Sequence, residues 1–343
     1  MTDELSHSPA SLPNARWSAA APFLVISCVG AACFAVATIA DPSTLRLFSE
    51  MLIYLTLAQL WNLLAGYAGL VSVGQQAFVG IGGYAFFYST TTLGIHPLLG
   101  LAAGGLASLL AGAASTIFIF RLRGAYFAIG TWVMAEICLL TVAIIPELGG
   151  GSGMSLPAKI VRTLGATGEQ RASAYFTLAA LLATVTVTAI YLLMRSRIGL
   201  AMVAVRDSER AAEALGVNAA RIKRMVYVGV AFATGFVGGL IFLMKLRMTP
   251  DAAFSVLDWT AYVLFIVVIG GVGRIEGPFI GTVIFFSLRA VLADYGPVYL
   301  VVLGCVAVVA MLFAPKGVCG LISRWVGFEV FPVRRRTPST SQE

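Results

Sequence analysis

Long apolar runs separated by short polar connections make up most of the chain. A helix needs about 20 apolar residues to cross about 30 Å of hydrocarbon, and most of these runs approach that length. The pattern therefore predicts an all-α polytopic membrane protein with about eight to ten transmembrane helices, of which the spans at 259–271 and 278–293 are short for full crossings. The predicted spans are residues 22–40, 47–65, 77–94, 97–120, 125–145, 173–194, 225–244, 259–271, 278–293 and 298–314.

Two of the apolar segments are interrupted by residues that disfavour a helix, at 66–69 (GYAG) and at 270–278. Irregular backbone at membrane depth is tolerated only where protein or a water-filled path surrounds it, and broken helices often line a substrate route. A simple turn on the cytoplasmic side is the other interpretation of both segments, which are called the first and the second break below.

Glycines recur four residues apart at several places in the predicted spans. The pairs are Gly100 with Gly104 and Gly235 with Gly239, and a run of three is formed by Gly273, Gly277 and Gly281. Such spacing places the small residues on one face and allows membrane helices to approach closely, so it predicts tight helix packing.

Composition and charge agree with a membrane protein. Hydrophobic residues make up 59% of 343 and charged residues only 11%, whereas soluble domains carry about 25% charged residues. In a membrane protein a net charge of +7 reflects cations in cytoplasmic loops rather than affinity for nucleic acid. If both termini are cytoplasmic, sixteen of the 23 Lys and Arg residues lie on that side. The predicted organisation is a cytoplasmic tail at 1–21, a transmembrane domain at 22–315 and a basic cytoplasmic tail at 316–343.

Residues 195–224 form the longest densely charged stretch, which we call the charged island; it holds seven cations and three carboxylates. A two-turn helix is predicted inside it, with Asp207 and Ser208 able to cap its start, Gly216 able to close it, and Asn218 able to cap the next helix. Two turns are too few for a helix that is stable alone in water. The helix is therefore interpreted as a segment docked on another protein, and an ordinary solvated loop is the alternative.

Residues that could carry out enzymatic chemistry are nearly absent from the sequence. Neither a GxSxG elbow nor a GxxxxGK[ST] phosphate loop occurs, and the five cysteines form no CxxC pair. His7 and His96 both fall in predicted loops, so a two-histidine metal site on a helix is not possible. We therefore expect no enzymatic activity, metal or cofactor in this chain.

Three ionisable residues in or beside the predicted spans are candidates for a function: Glu136, Arg289 and, near the end of a span, Asp294. A charged side chain at the centre of a bilayer costs about 2.5–3.5 kcal/mol on insertion scales, so each needs a polar partner or water. Glu136 is a candidate for a transport pathway or for a bond to a neighbouring helix. The same two interpretations apply to the polar residues around the first break, which are Gln59, Asn62, Ser72, Gln75 and Gln76.

The sequence thus describes a pore or carrier with no energy source of its own and with a docking helix on the cytoplasmic side. This combination favours the membrane subunit of an ATP-driven importer over a self-powered secondary carrier.

Six blocks of the sequence, in order, resemble the permease subunits of branched-chain amino-acid ABC transporters. The blocks are 62–84 (NLLAGYAGLVSVGQQAFVGIGGY), 122–137 (LRGAYFAIGTWVMAEI), 148–155 (LGGGSGMS), 195–223 (RSRIGLAMVAVRDSERAAEALGVNAARIK), 268–284 (VIGGVGRIEGPFIGTVI) and 312–322 (LFAPKGVCGLI). The LRG at the start of the second block makes the chain similar to the longer, LivM-type of the two permeases.

The resemblance implies an ABC importer permease fold in a bacterial inner membrane and a coupling loop at 195–224. By this resemblance, the residues that couple the permease to the ATPase subunits are Arg206, Asp207, Glu213, Ala214 and Gly216. The candidates for the translocation path are Asn62, Gln75, Gln76 and Glu136. The implied partners are a second permease, two cytoplasmic ATPases that bind ATP and Mg, and an extracytoplasmic substrate-binding protein. Gln76 stands where small residues are usual in the family, and relatives import urea, amides or aromatic acids, so the substrate stays open.

Overall fold

The computed structural model describes residues 40–292, 295, 296, 298–313 and 317–320. The predicted N-terminal tail, almost all of the first predicted span, Asp294, and residues 316 and 321–343 of the predicted C-terminal tail lie outside these residues. The described part is almost entirely helical, as predicted. Its helices are α1 (Pro42–Asn62), α2 (Gln75–Thr91), α3 (Pro97–Ile119), α4 (Ala125–Ile144), α5 (Ala158–Arg162), α6 (Gly168–Arg195), α7 (Arg197–Asp207), α8 (Glu209–Ala214), α9 (Ala219–Lys245), α10 (Pro250–Ala253), α11 (Tyr262–Gly270), α12 (Gly277–Leu292) and α13 (Val298–Phe313).

Shorter elements complete the described chain. Leu63–Tyr67 is a π-helical turn that continues α1, and Leu257–Ala261 is a π-helical turn that precedes α11. Two 3₁₀ turns, Pro146–Leu148 and Gly150–Ser152, follow α4. Strands β1 (Met154–Ser155) and β2 (Arg247–Met248) then pair antiparallel, with Met154 opposite Met248.

Within the described residues, six helical segments are long and apolar enough to cross a membrane: Pro42–Tyr67, Pro97–Ile119, Ala125–Ile144, Gly168–Arg195, Ala219–Lys245 and Pro250–Gly270. Five of them coincide with predicted spans. The sixth corrects the prediction that 259–271 is a short span, because α10 and a π turn extend this segment to 21 residues. The spans predicted at 278–293 and 298–314 are the shorter helices α12 and α13.

Helix α2 forms the centre of the core. Phe78, Phe86 and Phe87 on this helix are buried, and α2 packs against both α3 and α9. Its 17 residues are at the lower limit of a full crossing, and most of them are buried in protein rather than exposed at the surface. The predicted span at 77–94 is therefore an interior helix surrounded by the others.

Glycines allow these three helices to meet at backbone contact. A Cβ atom on Gly82 of α2 would lie 2.1 Å from the carbonyl oxygen of Gly235 on α9. A Cβ atom on Gly104 of α3 would in turn lie 2.5 Å from the carbonyl oxygen of Gly82. No side chain fits at these distances, so the tight packing predicted from the glycine spacing is confirmed for Gly104 and Gly235.

The two ends of the helix bundle carry different amounts of positive charge. Arg206 of the charged island contacts the backbone of Gly66, and Phe120 and Phe127, which flank Arg121 and Arg123, pack against Tyr227 near the start of α9. Ten described cations therefore lie at the end that contains the charged island. Six lie at the other end: Arg46, Lys159, Arg162, Arg171, Lys245 and Arg247. The charge asymmetry predicted from the loops is present between the two ends.

We predict that Gly82→Ala destabilises the protein, because the added methyl group meets the backbone of Gly235 and overpacking costs about 1–3 kcal/mol. Gly229→Ala on α9 is the matched control, since nothing lies within 4 Å of a Cβ at that position. Thermal unfolding of the detergent-purified chain should show a lower midpoint for Gly82→Ala and an unchanged or higher midpoint for Gly229→Ala. Equal midpoints would contradict the proposed close contact.

Candidate functional site

The charged island folds into two short helices and the first turns of α9. The hydroxyl oxygen of Ser208 accepts a hydrogen bond from the backbone N–H of Ala211 at 3.3 Å, so Ser208 caps α8 as predicted. Asp207 does not share this role, because it is the last residue of α7. The prediction that Asp207 caps α8 is wrong in that respect; its carboxylate instead accepts hydrogen bonds from Arg206, at 2.8 and 2.9 Å.

The end of α8 has the predicted geometry. Gly216 has a φ of 84°, in the left-handed region that glycine adopts without strain. The N–H of Gly216 donates to the carbonyl of Glu213 at 2.9 Å, and the N–H of Val217 donates to the carbonyl of Ala212 at 3.0 Å. The side-chain oxygen of Asn218 then accepts from the N–H of Arg221 at 2.9 Å and caps α9. Helix α8 is therefore defined at both ends by local hydrogen bonds.

One face of α8 is anchored and the other is exposed. Ala212 is buried in a small cluster with Val205 and Ala219, and Lys223 forms an ion pair of 2.9 Å with Glu209. The other residues of α8 and of its C-terminal end are all exposed: Arg210, Ala211, Glu213, Ala214, Leu215 and Gly216. Helix α8 thus presents a firmly held outer face.

Leu215 is a feature of this face that the sequence reasoning missed. Its side chain is 84% exposed, although it stands in the most polar part of the chain. The signal available in the sequence was a large apolar residue beside the glycine that ends a two-turn helix. A single exposed leucine is common on protein surfaces, so Leu215 is of interest only because it adjoins the exposed face of the capped helix α8.

Arg206 connects the charged island to the first break. Its Nη1 atom donates to the carbonyl oxygen of Gly66 at 2.7 Å, and its aliphatic carbons lie against Gly69. The ion pair with Asp207 is largely exposed, and such pairs contribute about 1 kcal/mol at most. The bond to Gly66 is therefore the structurally informative contact, because it joins residues 140 positions apart.

Asn62 joins the first break to the second. Its side-chain oxygen accepts from the N–H of Gly273 at 2.8 Å, and its side-chain nitrogen donates to the carbonyl of Arg274 at 2.8 Å. Gln59, one turn earlier on α1, donates to the carbonyl of Ile275 at 2.7 Å. The two breaks therefore lie together at the end of the bundle that contains the charged island. Gly66, Tyr67 and Ala68 of the first break are buried, whereas Gly69 and Val272 are exposed.

Gln75 and Gln76 occupy the buried first turn of α2. The side-chain nitrogen of Gln75 donates to the carbonyl of Leu57 at 3.3 Å and to Thr234 at 3.4 Å, and the side-chain oxygen of Gln76 accepts from the hydroxyl of Thr260. Each amide keeps one atom, the oxygen of Gln75 and the nitrogen of Gln76, that has no hydrogen-bond partner among the described residues.

The ionisable residues of the spans lie elsewhere. Glu136 is half-buried on α4 and accepts a hydrogen bond from the indole nitrogen of Trp132 at 3.1 Å, so no described bond joins it to Asn62, Gln75 or Gln76. Arg289 on α12 forms an ion pair of 2.7 Å with Glu50 on α1. Glu50 lies within the predicted span at 47–65, and its role as this partner was not predicted.

Comparison with known proteins identifies the family. The family described as "Branched-chain amino acid transport system / permease component" matches residues 43–314. The high-affinity branched-chain amino acid transport system permease protein LivM of Escherichia coli (strain K12) is 28% identical over 296 residues, which cover 80% of this chain and 69% of that protein. A probable branched-chain amino acid transport permease protein LivM of Methanocaldococcus jannaschii is 23% identical over 268 residues, 68% of this chain and 76% of that protein. No solved structure gives a significant match.

The match covers nearly the whole described helix bundle, including both breaks and the charged island. It places the chain in a transport family and makes it a multi-pass protein of the inner membrane. This chain belongs to the family of branched-chain amino acid transport permeases.

Proposed function

We propose that the chain is a permease subunit of an ATP-binding-cassette importer and that, with a second permease, it forms the inward path for branched-chain or related amino acids. The relatives carry that transport function in their names. The observation that best supports the mechanism is the arrangement of α8, which is capped at both ends and exposed on its outer face. Arg206 connects the same segment to the breaks in the membrane domain.

In this proposal α8 docks on a cytoplasmic ATPase. Glu213, Ala214 and Gly216 belong to its exposed face, and Leu215 supplies the apolar contact at its centre. The small side chains of α8 keep this face narrow enough to enter a groove. Because Ala212 and the Lys223–Glu209 ion pair fix the opposite face, a force applied to α8 reaches α7 and α9 instead of being lost in loop motion.

Arg206 transmits that movement. Asp207 orients the guanidinium group of Arg206, whose Nη1 atom holds the carbonyl of Gly66 in the first break. Asn62 then connects this region to Gly273 and Arg274 in the second break. Displacement of α7 therefore acts on both interruptions of the helix bundle together.

The candidates for the translocation path are Asn62, Gln75, Gln76 and Glu136. The unpartnered amide atoms of Gln75 and Gln76 are available to a polar solute once the helices separate, because a buried polar atom without a partner gains free energy from any hydrogen bond. Asn62 becomes available only if its bonds to the second break open. Glu136 offers a carboxylate on a different helix.

The remaining organisation follows from the same proposal. The end with the charged island faces the cytoplasm, as the excess of cations favours, and both termini are cytoplasmic. Two separate ATPases bind ATP and Mg, and an extracytoplasmic binding protein delivers the substrate to the opposite end. The tails at 1–21 and 316–343, the transmembrane domain at 22–315 and the coupling loop at 195–224 keep the boundaries derived from the sequence.

Two alternatives give different experimental results. A permease of this family for urea, amides or aromatic acids would retain the same coupling and differ only in the transported solute. A stand-alone secondary carrier would transport without ATPases. The exposed, doubly capped α8 favours the importer, since a carrier has no need for a docking helix.

We predict that the double substitution Glu213→Arg with Leu215→Asp prevents docking without unfolding the protein, because both side chains are exposed. ATPase binding to the purified permease pair should weaken by about 30-fold or more, since loss of one central interface side chain costs about 2 kcal/mol and each 1.4 kcal/mol is tenfold in affinity. Arg121→Glu is the control, as it reverses an exposed charge at the same end outside the charged island. Unchanged binding by the double variant would contradict the docking role of α8.

We further predict that Arg206→Ala uncouples transport from ATP hydrolysis. This variant leaves the outer face of α8 intact but removes the bond to Gly66, so the ATPases should still bind and hydrolyse ATP while uptake per ATP falls by about tenfold. The control is Arg197→Ala, because Arg197 is an exposed residue at the start of α7, the helix that also carries Arg206. An unaltered ratio of uptake to hydrolysis in Arg206→Ala would exclude this transmission route.

A third prediction separates importer from carrier. Vesicles that contain only this chain should show no uptake of leucine, isoleucine or valine under an imposed proton or sodium gradient. Vesicles with both permeases, the ATPases and the binding protein should show uptake only with internal ATP. Gradient-driven uptake by the chain alone would establish the carrier.

A further inference from the structure

Helices α3 and α4 are the two least covered membrane spans in the described part of the chain. Only 28% of the most apolar segment of α3 and 22% of that of α4 is buried in the protein, compared with 72% for α9. Within the described residues nothing covers the outer faces of α3 and α4, which are therefore open to lipid or to another protein segment.

The exposed face of α3 suits lipid. Its large exposed side chains are Leu98, Leu99, Leu106, Leu110, Ile117 and Phe118, and no ionisable residue occurs between 97 and 119. The two serines of this helix, Ser108 and Ser115, are buried. Nothing on this face requires water or a protein partner.

The exposed face of α4 differs from that of α3 in one decisive respect. Val133 and Ile137 are 48% and 58% exposed, but Glu136 stands on the flank of the same face. Glu136 lies about 16 Å along a helix of about 30 Å, which places it near the middle of the bilayer. A carboxylate at that depth is costly in lipid and is found where protein or a water-filled cavity surrounds it.

The side chain of Glu136 is neither fully buried nor neutralised by a cation in the described structure. Its recorded partner is the indole N–H of Trp132, at 3.1 Å, one turn earlier on the helix, and Trp132 is itself 46% exposed. By contrast, Glu50 on α1 and Arg289 on α12 neutralise each other in an ion pair. A single indole bond leaves further acceptor positions of the carboxylate open.

Resting on the proposed importer function, we propose that the Trp132–Glu136 side of α4 lines an aqueous path closed by the second permease, and that Glu136 receives the ammonium group of an amino-acid substrate there. The apolar part of the face, with Val133 and Ile137, packs on the partner. The carboxylate faces the water-filled gap between the two chains. Lipid covers α3, and the second permease covers α4.

Water access is tested in the assembled transporter after removal of the five natural cysteines. Glu136→Cys should react with a charged, water-soluble methanethiosulfonate at least tenfold faster than Leu110→Cys, which is equally deep on α3 and 67% exposed. Thiols react as thiolates and so need water. Equal and slow reaction of both cysteines would overturn the proposal, since it would place Glu136 in lipid.

The partner is tested with a photoreactive benzoylphenylalanine placed at Ile137 or at Leu110 of the same complex. Irradiation should join the Ile137 variant to the tagged second permease and leave the Leu110 variant uncrosslinked to it. Crosslinking from Leu110 but not from Ile137 would overturn the assignment, as would the absence of crosslinks from both. Crosslinking and thiol labelling can both be measured without transport. The proposed importer function is tested separately, by uptake in the unmutated complex: uptake that does not require ATP would contradict the importer function without affecting the two labelling results.

The ammonium contact is tested by kinetics. Glu136→Gln should raise KM for amino-acid uptake at least tenfold with a smaller change in kcat, and Glu136→Asp should restore part of the loss because it keeps the negative charge. An unchanged KM in Glu136→Gln would overturn the role of the carboxylate in substrate binding.

Discussion

The side chain of Asn62, at the end of α1, holds the second break in place through two hydrogen bonds. A helix that is broken inside a membrane protein exposes backbone N–H and C=O groups, and lipid offers them no partners. Asn62 satisfies the N–H of Gly273 and the carbonyl of Arg274, while Gln59 satisfies the carbonyl of Ile275. The second break therefore depends on the side chains of α1 for these three hydrogen bonds.

This dependence explains why the breaks and the charged island form one unit. The last turns of α1 hold the second break, and the π turn that follows them supplies Gly66, whose carbonyl accepts from Arg206. Each contact replaces hydrogen bonds that regular helices would have made internally. Breaking one contact leaves a buried polar group unsatisfied, at a cost of about 1–3 kcal/mol. Movement of the two breaks and the charged island as one unit is therefore favoured over separation of any one of them. By contrast, the glycine contacts among α2, α3 and α9 form a packed interior that has little freedom to move.

Much of the fold could be predicted from the sequence because membrane depth sets the length of apolar runs. Five of the long spans, the ends of α8 at Ser208 and Gly216, and the tight packing at Gly104 and Gly235 all depend on local residue types and spacing. The length of the segment at 250–270 could not be predicted in this way, because a threonine cap, a proline and a π turn carry the helical structure past residues that look like a loop.

The candidate site was less predictable, since its contacts join distant parts of the chain. The bonds from Asn62 to the second break span more than 200 residues, and no local pattern indicates them. Asp and Ser cap helices about equally well, so the sequence does not decide whether Asp207 or Ser208 caps α8. The structure decides it, because α7 extends to Asp207 and leaves Ser208 as the cap. The exposure of Leu215 and the pairing of Glu50 with Arg289 likewise depend on how the helices pack, which hydrophobic periodicity does not record.

We propose that ATP-driven movement of α8 reaches both breaks through Arg206 and Asn62. Hydrogen–deuterium exchange of the backbone amides at 66–74 and 271–276, measured in the assembled transporter with and without ATP, distinguishes this route from independent motion of the breaks. ATP is expected to change the exchange of both segments together, and Arg206→Ala is expected to remove the change while the ATPases remain bound. Exchange that does not respond to ATP, or that responds equally in the Arg206→Ala variant, would show that the movement takes another route.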